Sequence, residues 1–159
     1  MAAEFSSDNI QLVPASASVI FSESPVPCNR GMVYHRDESG IFRLASPSSL
    51  GTPYRRGCCQ CEMPTANYEV AFHGNIQIPA GGTVEAISIA LAIDGEVDPS
   101  SIMTVTPAAV EESWNVGADI VVSVPWICRC SSVSVHNVST QAINVSNANI
   151  VFGFAGIRR

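Results

Sequence analysis

Lysine is absent from this chain of 159 residues, whose eight basic residues are all arginine and whose formal net charge is -6. Binding to a phosphate backbone draws on clustered Lys and Arg. Here only Arg55-Arg56 and Arg158-Arg159 adjoin, so nucleic acid is not an expected partner. Charge of both signs reaches only 14%, well below the roughly 25% of an average soluble domain. Much of the surface is therefore not meant to face water. No apolar run approaches the roughly 20 residues that span a bilayer. The opening MAAEFSSDNIQL also has no basic region followed by an apolar stretch. Neither a membrane span nor a secretory signal is expected, and the low charge points to contacts between protein copies.

Catalytic signatures are missing as well. There is no G-x-S-x-G, no H-E-x-x-H and no glycine-rich phosphate loop. The letters HRD at His35 to Asp37 read as the polar tip of a hairpin. His73 and His136 read as surface or interface histidines on strands. Aromatic residues make up 7%, and of these only Trp114 and Trp126 offer an indole for stacking on sugar. The expectation is a protein that is not an enzyme and needs no cofactor.

What the chain does have is alternation. In NYEVAFHGNIQIP, Tyr68, Val70, Phe72, Gly74, Ile76 and Ile78 alternate with polar or small residues, the period of a strand with one buried face. AGG at Ala80 to Gly82 supplies a turn, and Asp94-Gly95 is a hairpin signal. SIMTVTPAAV, GADIVVSVP, SSVSVHNVS and AINVSNANIVFGF repeat the style, with VPASASVIFSE and the pair around the turn RDESG before them. The window AAVEESWNV is too short and poorly capped for a helix. This amounts to about eight to ten antiparallel strands at sandwich spacing, an all-β jelly-roll sandwich. Residues 1–15 read as an N-terminal arm and 16–159 as one domain.

Six cysteines are the main chemical candidates: Cys28, the cluster Cys58, Cys59 and Cys61, and the pair Cys128 and Cys130. Neither C-C-x-C nor C-x-C has the two-residue spacing of a zinc knuckle, so no metal is expected. Disulfides and free thiols both remain open. Asp94, Glu96 and Asp98 in DGEVDP lack the EF-hand pattern and read as a hairpin tip. The sequons at Asn137 and Asn144 fall inside strand patterns and are discounted.

The stretches SGIFRL (Ser39 to Leu44), ANYEVAFHGNIQIPAGGTVEAISIALAIDGE (Ala66 to Glu96) and VSVHNVSTQAINVSNANIVFGF (Val133 to Phe154) together carry a resemblance. The chain resembles the TNF/C1q-like jelly-roll superfamily. It is similar in particular to trimeric phage decoration and fibre-head domains and to C-terminal domains of bacterial collagen-like surface proteins. The resemblance implies a homotrimer with a structural or binding role. The expected function is a jelly roll decorating a phage virion, docked to the larger particle through its N-terminal arm. The alternative is a module on a bacterial cell or spore surface that binds glycan or a host receptor.

AISIALAIDGEVDP poses one question of its own. Ile87, Ile89, Leu91 and Ile93 point to one side of a strand and Ala86, Ser88, Ala90 and Ala92 to the other, and neither side is charged. A sister subunit is the expected cover for the small residues, which makes them the candidate trimer interface.

Overall fold

The computed structural model describes residues 2–28, 31–36, 38–51, 63–126 and 130–158. The described residues form two antiparallel sheets that share one core. Sheet A has the order β10 (Trp114–Pro125), β6 (Thr65–Gln77), β12 (Ile143–Arg158), β1 (Ala2–Ser7) and β3 (Glu23–Val26), with β2 (Gln11–Val13) also paired to β12. Sheet B has the order β4 (Val33–His35), β5 (Phe42–Ala45), β11 (Cys130–Asn137), β7 (Ile87–Ile93) and β8 (Glu96–Val97), with β9 (Met103–Val105) also paired to β7. Among the described residues that makes twelve strands, slightly more than the alternation suggests. The excess comes from two- to four-residue pieces such as β8 and β9, too short to show a period.

The alternation in β6 translates directly into packing. Ala66, Tyr68, Val70, Phe72 and Ile76 are buried, while Glu69 and His73 face outward. β12 contributes Ile143, Val145, Ala148, Ile150 and Phe152 to the same interior. Its register shifts between Ser146 and Asn149, next to Asn147 at φ 49, and this extra residue keeps both halves of a long strand facing the core. From sheet B come Phe42, Leu44, Ile87, Ile89, Leu91, Val133 and Val135. Phe42 sits centrally, 4.9 Å from the rings of Phe5 and Phe152 and 5.2 Å from Phe21, and it stacks on His35 at 4.4 Å.

Two expectations need correction. Residues 1–15 are not an arm: Ala2 to Ser7 pair with β12, Gln11 to Val13 do the same, and Ala3, Phe5 and Val13 are buried. Burying these side chains between the sheets outweighs leaving them on a tether. VPASASVIFSE is likewise not one strand. It crosses between the sheets, with single bridges at Ser18 and Phe21, while its first residue, Val13, ends β2 and its last, Glu23, begins β3.

Candidate docking surface on sheet A

The four residues proposed from sequence as a trimer interface lie before and along β7, and they differ in exposure. Ala90 and Ala92 are 0% exposed in the single chain, Ser88 is half-buried and Ala86 is exposed. Ala90 and Ala92 therefore need no sister subunit to cover them, because this chain covers them itself. Across the ladder Ala90 and Ala92 stand opposite His136 and Ser134, whose side chains are joined at 2.9 Å. On the other flank residues 97–102 close over the edge. There the Ser101 hydroxyl accepts from the Leu91 amide at 2.9 Å and lies 3.2 Å from the Leu91 carbonyl. Ser88 is tied to Thr104 at 2.7 Å. A methyl between taller neighbours needs no partner to be dry.

An accessible, partly apolar surface lies on the other sheet. Register places Gly117, His73 and Asn149 in one row across the outer face of β10, β6 and β12, then Asp119, Ala71 and Val151, then Val121, Glu69 and Gly153. The small Ala71 and Gly153 in these rows leave a hollow of about 440 Å³. Ala71, Val121, Val151 and Gly153 contribute its apolar lining, and Glu69 and Asp119 its polar groups. Val121 is 66% exposed. Among the described residues neither the Glu69 nor the Asp119 side chain has a hydrogen bond or an ion pair. Glu4, in the next strand, accepts a hydrogen bond from Asn149.

Two glycines on this face differ in kind. A Cβ at Gly117 would lie 2.6 Å from Nδ1 of His73, so that glycine is required by the ring laid over it. A Cβ at Gly153 would meet nothing nearer than 3.7 Å, an ordinary contact. Packing among the described residues does not ask for a glycine there, although glycine inside a strand lowers its stability.

The cysteines separate into those the structure describes and those it does not. Cys58, Cys59, Cys61 and Cys128 lie outside the described residues. Cys28 and Cys130 are both free thiols. Cys28 packs against the core and its sulfur accepts from the Val33 amide, whereas Cys130 is exposed and follows the outward positions of β11. These two stand on opposite sides of sheet B.

The remaining polar candidates are structural. Asp94 accepts from the Ser132 amide at 2.7 Å, and Asp98 caps the turn at Pro99–Ser101. Asn137 is buried, and its amide donates to the carbonyls of Val13, Pro14 and Gln141 while its oxygen accepts from Ser139. His35 ends β4 beside a turn, as the hairpin-tip reading expects, but its ring is half-buried against Phe42. His73 is exposed on the outer face of β6. No group of three or more metal-ligating side chains occurs among the described residues.

No protein-family model and no curated protein sequence matches the chain. Among solved structures, the globular domain of zebrafish complement 1qA protein superposes with a TM-score of 0.56 over 97% of this chain and 96% of that one, at 11% identity. A family 35 carbohydrate-binding module from an environmental isolate aligns over 98% of this chain and 95% of its own, at 12% identity and a TM-score of only 0.37. The CBM22-1 xylan-binding domain of Paenibacillus barcinonensis Xyn10C aligns over 98% and 95% at 9% identity and 0.34. The last two scores are too low to carry an argument. With two antiparallel sheets in this strand order and the superposition on the complement domain, the chain has a TNF/C1q-like jelly-roll fold.

Proposed function

We propose that the protein is a non-enzymatic structural jelly roll that self-associates, as a homotrimer, through the outer face of sheet A and decorates a larger particle such as a phage virion. The observation that supports this reading most is the hollow over Ala71, Val151 and Gly153. It is an apolar surface open to solvent on the longest of the described strands, kept open by a glycine that no contact among the described residues requires. A close-approaching backbone from another copy needs that kind of surface. The low charge content agrees with it. Because residues 2–13 are built into sheet A, attachment to the particle uses a folded surface rather than a free arm.

Light scattering at micromolar concentration tests the proposal. The wild type is expected at three times the chain mass of 16.8 kDa. Val121→Glu, which places a charge on the exposed apolar face, is expected at the single-chain mass with unchanged circular dichroism. A monomeric wild type would remove the proposal. The particle itself is addressed by genomic context, where neighbouring capsid and portal genes support the virion and a collagen-like stalk gene supports a bacterial surface. One observation favours a second, binding role. Trp114 stands 42% exposed at the start of β10, an indole available to a sugar ring or receptor. A glycan array that stays blank would discard that role without touching the first.

A further inference from the structure

Closing the outer face of sheet A takes Glu69 and Asp119 out of water, and a carboxylate that stays ionised there needs a counter-charge beside it. Neither has one among the described residues. The chain has no lysine, so arginine is its one side-chain type that is cationic at every working pH. Of the described arginines, Arg43 lies on β5 and Arg36 follows β4, both in sheet B, while Arg158 stands at the end of β12 in sheet A. Arg158 pairs with Thr65, an outward position of β6, and is exposed. It therefore shares the face that carries the hollow. Within one copy it stands apart from it, since Thr65 and Glu69 are separated by four residues of strand, about 13 Å.

We propose that Arg158 of one copy seats in the sheet A hollow of the next, with its guanidinium between Glu69 and Asp119. This rests on the self-association reading above. Glu69 faces Val121 directly and Asp119 faces Ala71, so the two carboxylates are diagonal neighbours on adjacent strands. Such positions lie about 7 to 8 Å apart, and a planar guanidinium between them offers a donor edge to each. The apolar lining of Ala71, Val121 and Val151 suits the methylene stem of the same side chain. The contact joins two different patches of the chain, the hollow and the end of β12. It is therefore heterologous, the kind that closes into a ring when the rotation permits. A ring of three satisfies every hollow with one arginine.

Sedimentation over a dilution series, at about 0.05 M and about 0.5 M salt, tests the contact. Arg158→Gln is expected to weaken association about tenfold or more. The double variant Glu69→Gln/Asp119→Asn is expected to remove most of the salt dependence, and adding Arg158→Gln to it should cost little further. Arg158→Glu combined with Glu69→Arg should recover part of the loss seen with Arg158→Glu alone. All substituted side chains are exposed, and circular dichroism verifies that the sheets remain. If the wild type sediments as a trimer and Arg158→Gln holds together equally well at both salt concentrations, the arginine contact is wrong and the self-association reading stands. If the wild type is monomeric throughout, both fall.

Discussion

Asn137 shows how one side chain can tie distant pieces of chain together. Its two amide hydrogens, shared among three carbonyls at 2.9 to 3.2 Å, hold Val13, Pro14 and Gln141 against the end of β11. Asn137→Ala leaves these buried or half-buried carbonyls without a donor and is expected to cost about 3 kcal/mol, read from the midpoint of denaturant unfolding. The same hydrogen bonds explain why its sequon is unsuited to glycosylation, because the amide nitrogen is already committed. Tyr68 is the other buried polar residue with a long-range role, its hydroxyl donating to the Ala45 carbonyl at 2.7 Å. Desolvation by burial, helped by the neighbouring Cys28, pushes its phenol up to about 12, against a smaller lowering by the Ala45 hydrogen bond. The folded state thus holds this proton more tightly than the unfolded chain, whose tyrosines titrate near 10. Its contribution to stability is complete below about pH 10 and is lost as pH rises toward 12. Tyr68→Phe should flatten that part of the stability profile and cost about 1 kcal/mol at neutral pH. Neither role was legible in the sequence, where Asn137 is one more polar residue in a strand and Tyr68 one more apolar-facing aromatic.

The strands themselves were legible wherever the period ran long enough. β6, β7 and the β4–β5 hairpin appear close to where alternation and turn residues place them. The short edge pieces and the incorporation of residues 2–13 do not, because the hydrogen bonds that make them strands are supplied by partners up to 150 residues away. β7 carries the sharpest lesson at this scale. Its alanines were read as an interface because no charge faces them, yet they are shaded by His136, Ser134 and the 97–102 turn. Ala92→Glu is therefore expected to destabilise the fold itself by about 3 kcal/mol or more, since it buries a carboxylate with no counter-charge. Thermal unfolding of Ala92→Glu beside Val121→Glu separates the two surfaces. The first should lose melting temperature at every protein concentration, the second only where association contributes. An Ala92→Glu protein as stable as wild type but monomeric would restore the original interface.

For the whole molecule, both sheets contribute to a single buried cluster, so neither has a core of its own. Unfolding is expected to be one cooperative transition. If copies associate through sheet A, the melting temperature must also rise with protein concentration, because an assembly present only in the folded state stabilises it by mass action. Differential scanning at concentrations spanning about a hundredfold should show that rise for the wild type and none for Val121→Glu. A concentration-independent melting temperature in both would contradict association.

The amino-acid sequence by itself determined the all-β class, the strands with long alternation and the lack of recognised catalytic motifs, because these follow from local period and composition. It also carried the ingredients of the outer face of sheet A: Ala71, Val121, Val151 and Gly153, with Glu69 and Asp119 beside them. Only the tertiary structure decided that these six lie together, since β6, β10 and β12 become neighbours through pairings 38 to 93 residues apart in the chain. It also decided that Ala90 and Ala92 are covered from within. Whether a small side chain is dry depends on the height of its neighbours across the ladder, and those neighbours are chosen by register, which no local stretch of sequence contains.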